Sequence, residues 1–130
     1  MPALDFAQLA GTPDLSAPFT FVTPNMCSDM HDCSIDAGDT WLATWMPKFL
    51  GSPEYRAGRT AIFLTFDEDD HSEGNHIATL VISPSTPAGA IDGTRYDHYS
   101  MLRTTEEMLG LPPVLGAAAT APSMRGPFRL

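Results

Sequence analysis

The chain has 130 residues and a formal charge of −9, with 16 acidic against 7 basic side chains. That balance excludes a phosphate-tracking face for nucleic acid and docking on anionic lipid. Hydrophobic residues at 43% and charged residues at 18% describe one globular domain, spanning residues 1–130, rather than a disordered chain. No apolar run approaches the ~20 residues that cross a bilayer, so no transmembrane segment is expected. The start, MPALDFAQLAGTPDLS, lacks the basic leader of a signal peptide.

Residues 1–18 are punctuated by Pro and Gly and read as irregular, with a short helix around residues 5–9. Residues 19–23 (FTFVT) form a compact strand closed by Pro24, which has no N–H to give a ladder. The next segment, 25–39 (NMCSDMHDCSIDAGD), is too polar for a core element and rich in ligand types. Cys27 and Cys33 with His31 between them are an incomplete zinc set. A short-loop disulfide, which is favoured, and a pair of reduced thiols both remain open. Asp39 or Thr40 caps the helix that follows, whose apolar face is Trp41, Leu42, Trp45, Phe49 and Leu50. Pro47 kinks that helix or splits it, and Gly51, Ser52 and Pro53 end it. Residues 54–58 make a short turn or helical turn.

Residues 61–66 and 77–82 are continuously apolar and β-branched, which suits strands covered on both faces of an α/β sheet. Between them lies the acidic loop Asp67, Glu68, Asp69, Asp70, followed by His71 and His76. Four clustered carboxylates repel unless a cation or protons offset the charge, so a hard-metal site is one reading. A solvated hairpin loop is the other, because Ser72 to Asn75 has ordinary turn chemistry. Asp67 and Glu68 abut the strand and are the better metal candidates; Asp69, Asp70 and Glu73 read as outer charges. Residues 83–95 form a loop. YDHY at 96–99 opens a second helix with Met101, Leu102, Met108 and Leu109 as apolar positions, stopped by Gly110 and Pro112. The tail from Val114 is Ala-rich and weakly patterned, and reads as a surface wrap. The order strand, helix, strand, strand, helix indicates an α/β sheet.

His31, His76 and His98 each lie beside an Asp or a polar turn, in DMHDC, EGNHIA and YDHYS. Imidazole at such positions suits metal ligation, proton transfer or hydrogen bonding to an anion. His71, in the most loop-like setting, is the weakest of the four, and Arg103 reads as a solvated or structural arginine rather than a phosphate clamp.

The blocks VTPNMCSDMHDCS, GDTWL, TAIFLTFDEDD, NHIATLVISPS and YDHYSMLRTTEEMLGLP, in that order, resemble the phosphoesterase family of bacterial phospholipases C and acid phosphatases. The match covers residues 19–113, the carboxy-terminal portion of such an enzyme, with 114–130 as an irregular tail. The resemblance implies a partial alkaline-phosphatase-like α/β fold with about three core strands and flanking helices. It implies a divalent metal of unassigned identity held in part by Asp67 and Glu68, and a phosphate ester as substrate. It places His31 near the phosphate, with His76 and His98 as further catalytic positions. Oxygen ligands favour calcium, magnesium or manganese, and added His admits zinc or iron.

In that family the nucleophilic Ser or Thr lies in an amino-terminal half that precedes everything seen here; Thr12, Ser16, Thr20 and Thr23 match no nucleophile motif. The expectation is therefore half an active site, with the missing half or self-association as partner. Relatives are exported, which implies a secreted or cell-envelope setting. The competing readings are a non-catalytic remnant that keeps a metal- or phosphate-binding loop, and an acidic α/β domain whose Asp and His residues are surface decoration.

Overall fold

A computed structural model describes residues 13–113 and 115–130; the helix expected around residues 5–9 lies outside the described residues. The chain divides into two units, Met1–Arg59 and Thr60–Leu130. Among the described residues no helix is long and apolar enough to cross a membrane.

In the first unit, helix α1 runs from Ile35 to Leu50 behind Ser34. It starts earlier than Asp39 or Thr40, the residues whose cap chemistry the sequence offers. Asp36 in the first turn favours this earlier start by complementing the helix dipole. Gly38, an intrinsic cost of about 1 kcal/mol against Ala, sits where Met30 packs: a Cβ there would stand 2.5 Å from Met30 Cγ. Pro47 neither splits nor ends α1. Along one face the rings of Trp41, Trp45 and Phe49 follow each other at 6.1 and 6.4 Å, and Lys48 Nζ lies 4.0 Å over Trp45. Phe49 is the buried member. A short helix α2 (Pro53–Arg56) follows, capped by the buried Ser52, whose Oγ accepts from the Tyr55 N–H at 3.2 Å.

Cys27 and Cys33 form a disulfide. Its closure of a short loop removes unfolded-state entropy worth about 2 kcal/mol in the chain-entropy treatment.

Among its described residues the second unit holds a single antiparallel pair, β1 (Ile62–Thr65) and β2 (Thr79–Ile82), in the register Ile62 to Ile82 through Thr65 to Thr79. This overturns the expected partial alkaline-phosphatase-like α/β fold with about three core strands. Helices of 16 and 11 residues outweigh two strands of 4 residues each, and the segment at 19–23 is not a strand. The physical reason is cover. Continuous apolar runs signal strands packed on both faces, whereas β1 is only half-buried and Leu80 of β2 is exposed. Phe19 and Phe21 are exposed as well, and among the described residues no strand pairs with them.

Helix α3 (His98–Met108) begins with a capping box: Asp97 Oδ1 accepts from the Ser100 N–H at 2.9 Å, and the Ser100 hydroxyl accepts from the Asp97 N–H at 3.2 Å. The tail, expected to be a loose wrap, supplies the best-buried apolar residues of this unit. A 3-10 turn (Gly116–Ala119) and helix α4 (Arg125–Phe128) bring in Ala118, Ala121 and Met124, all under 10% exposed. Thr104, fully buried, donates to the Ser100 carbonyl at 2.7 Å and accepts from the Met124 N–H at 2.9 Å. Arg103 pairs with Glu107 at 2.8 Å and donates to the Ala121 carbonyl at 2.7 Å. Of the two readings the sequence left open, solvated or structural, these bonds give the structural one. The Ser123 hydroxyl and then the Arg103 guanidinium hold the Glu107 carboxyl below the usual range. Glu106 on the same helix is buried with Oε2 unpartnered among the described residues.

Thr104→Val keeps the shape but strands the buried Met124 N–H. Unfolding in urea should show a loss of about 1–3 kcal/mol, with a smaller loss for Thr104→Ser, which keeps the acceptor. Equal losses in the two variants would contradict the role given to the hydroxyl.

Candidate functional site

The candidate loop leaves β1 at its last rung, where the Thr65 and Thr79 hydroxyls share a hydrogen bond of 2.9 Å. Asp67 and Glu68 stand immediately beyond it, both exposed. Among the described residues neither carboxylate takes part in a hydrogen bond or ion pair. Their oxygens are uncommitted.

Asp69 is the opposite case. Its Oδ1 accepts from the His71 N–H at 2.8 Å, and its Oδ2 accepts from Glu73 at 3.0 Å and Asn75 at 2.7 Å. The Asp69 N–H in turn donates to Asn75 Oδ1 at 3.0 Å. The loop thus closes on its own third carboxylate. His71, Gly74 and Asn75 adopt left-handed backbone, with φ of 66°, 63° and 65°, a conformation that Gly and Asn accept readily and His less so. Partial desolvation opposes the charged form of Asp69. The backbone N–H groups of His71, Asn75 and Glu73 and the His71 imidazole outweigh it, holding the carboxyl below the usual range. Asp70 is held low by the Ser72 hydroxyl and N–H.

Of the histidines, His98 reaches this loop from the first position of α3: its Nε2 lies 2.9 Å from the Asp67 carbonyl oxygen. His76 is exposed on the approach to β2, and its ring makes no hydrogen bond among the described residues. His31 belongs to the first unit, on the disulfide-closed loop, where its N–H donates to Asp29 Oδ1 at 2.9 Å and its ring is exposed. His71 has its backbone engaged by Asp69. Asp67, Glu68 and His98 are therefore gathered at one end of the ribbon, with His76 elsewhere on the same loop.

Among the described residues no three His, Cys, Asp or Glu side chains converge as a metal-binding group. Two free carboxylates are hard-oxygen donors of the kind that magnesium, calcium and manganese take. They fit as contributors to a coordination sphere, not as the whole of one. Asp69 and Asn75 were missed as the organisers of the loop. The signal was there: an Asp followed by the turn sequence HSEGN has the donors for a self-closed turn, but a carboxylate in an acidic run looks the same whether it faces a cation or its own backbone.

Because the Asp69 carboxyl is depressed in the folded chain, its contribution is present above the unfolded value near ~3.9 and is lost as pH falls through the lowered value. Hydrogen exchange should show the His71, Glu73 and Asn75 amides protected at neutral pH and released in stronger acid. Asp69→Ala should release them at neutral pH too. Unchanged protection in that variant would contradict the closure.

Residues 13–112 match the model of the phosphoesterase family. An acid phosphatase from Aspergillus fumigatus is 37% identical over 72% of this chain and 22% of its own length. A phosphatidylinositol-3-phosphatase from Mycobacterium tuberculosis is 36% identical over 79% of this chain and 33% of its own. An acid phosphatase from Aspergillus niger is 36% identical, over 72% and 23%. The chain thus spans between 22% and 33% of the length of these relatives. No solved structure matches it. On a family match from residue 13 to residue 112, joined by relatives above one-third identity, the chain belongs to the phosphoesterase family.

Proposed function

We propose that this chain supplies part of the metal and phosphate site of a hydrolase acting on phosphate esters, of the acid phosphatase or phospholipase C type. The observation that carries the reading is the uncommitted carboxylate pair, Asp67 and Glu68, next to the strand end on a loop whose Asp69 and Asp70 carboxylates are engaged. Family membership supports the hydrolytic chemistry. The Cys27–Cys33 disulfide supports an exported setting. The half-exposed β1–β2 ribbon supports a partner, the remainder of a phosphoesterase domain or a second copy.

In this reading Asp67 and Glu68 hold a divalent ion through carboxylate oxygens. When bound, such an ion neutralises phosphoryl oxygens and lowers the pKa of an attacking hydroxyl. In the same reading His76, exposed and with its ring unengaged among the described residues, passes a proton to a leaving alkoxide. His31 joins the proposal on the resemblance of its DMH segment alone. No hydroxyl of this chain is assigned as the nucleophile. The alternative, a remnant that binds metal or phosphate without reacting, shares the same pair.

Melting curves of the purified chain across magnesium, calcium, manganese and zinc test the pair. At about a hundred times the dissociation constant the bound state gains ~2.7 kcal/mol, and Asp67→Asn should abolish that gain. Hydrolysis of p-nitrophenyl phosphate and p-nitrophenylphosphorylcholine is run alongside. Stabilisation without turnover is the expected result for a chain that contributes part of a site. Metal-dependent turnover lost in Asp67→Asn would place a nucleophile within the chain or its oligomer. Stabilisation that survives Asp67→Asn would remove the pair from the site.

A further inference from the structure

The geometry points to His98 as a positioning residue: we propose that its ring holds the peptide between Asp67 and Glu68 in place, so that the two carboxylates are presented together. This inference rests on reading the pair as cation-holding. A carbonyl oxygen only accepts, so the 2.9 Å contact to Asp67 requires the proton on His98 Nε2. The ring is thereby a donor at that nitrogen. Its partner is backbone rather than a carboxylate, which leaves both acidic side chains free.

The contact joins positions 31 apart in the chain, and what stands behind the two ends differs. Behind Asp67 is the end of a half-buried ribbon. Behind His98 is the best-packed part of the unit. The Asp97–Ser100 capping box fixes the first turn of α3, and buried Ser100 and Thr104 tie that turn to Met124 in the tail. The His98 bond carries that rigidity to the Asp67 carbonyl, and so to the peptide plane from which both carboxylates depart. On the other side Asp69 fixes the loop by accepting from His71, Glu73 and Asn75. The pair is held from both directions. Partners that orient metal ligands without touching the metal commonly change affinity by 10–100-fold, so an exposed hydrogen bond of modest strength is enough to matter.

The test compares His98→Ala with His98→Gln, whose side-chain amide can donate from a similar reach. Two readouts are taken on each: the backbone amide resonance of Glu68, which senses the Asp67 carbonyl directly, and the dissociation constant for Mn2+ by calorimetry. In the wild-type chain, long-range proton–nitrogen correlation should show His98 protonated at Nε2. His98→Ala should move the Glu68 resonance and weaken Mn2+ about tenfold, while His98→Gln should restore the resonance and hold affinity within about threefold. A Glu68 resonance unmoved by His98→Ala overturns the proposal. So does a His98→Gln chain with the resonance restored and affinity as weak as in His98→Ala, because the imidazole itself would then be the ligand. A wild-type chain that binds no Mn2+, or binds it equally in Asp67→Asn, fails the cation reading instead. The hold on Asp67 then stands or falls by the Glu68 resonance alone.

Discussion

The last rung of the β1–β2 ladder, Thr65 opposite Thr79, is the constraint on which the candidate site depends. Its two hydroxyls share a hydrogen bond, and the register behind them leaves no slack in where the acidic loop begins. A two-stranded ribbon is marginal by itself in water. The slip of one residue would exchange its two faces and carry Asp67 and Glu68 away from the start of α3. What keeps the ribbon end in place is support from outside it: the His98 contact at 2.9 Å on one side and the self-closed loop around Asp69 on the other.

Within that frame the acidic residues divide by what their oxygens already do. Four carboxylates follow β1 in sequence, and electrostatics alone ranks them equally. Hydrogen bonding does not. Asp69 and Asp70 already direct their oxygens at backbone N–H groups and the Ser72 hydroxyl, so drawing them to a cation would cost the loop those bonds. Asp67 and Glu68 carry no such obligation among the described residues. The division of labour is local: Glu68, left to act, and Asp69, which builds the loop, are neighbours in the chain.

Much of this was legible in the residues, and the failures share a cause. The helix opened at YDHY, the Gly110 stop and the apolar strand pair follow from short-range rules, and the structure has all three. Residues 19–23 have strand composition but find no strand partner among the described residues, because strand propensity expresses itself only where a neighbour and cover exist. The same lack of cover defeated the three-stranded expectation. The tail failed in the other direction. Ala118, Ala121 and Met124 are small or flexible and spaced without a strong pattern, yet they pack because Thr104, Arg103 and Ser123 fasten the backbone around them. Hydrogen bonds between distant residues leave no periodic trace in a sequence. The His98 contact belongs to that class: an Asp-His step at a helix start was visible, the carbonyl it reaches was not.

The central claim is that Asp67 and Glu68, rather than the loop-closing Asp69 and Asp70, are the pair left to take a cation. Paramagnetic broadening by substoichiometric Mn2+, mapped across the backbone amides, tests it most directly. The account predicts broadening centred on Asp67 and Glu68 that disappears in Asp67→Asn, with the Asp69 closure intact. Broadening centred on Asp69, Asp70 or Glu73, with loss of protection at the Asn75 amide, would contradict it.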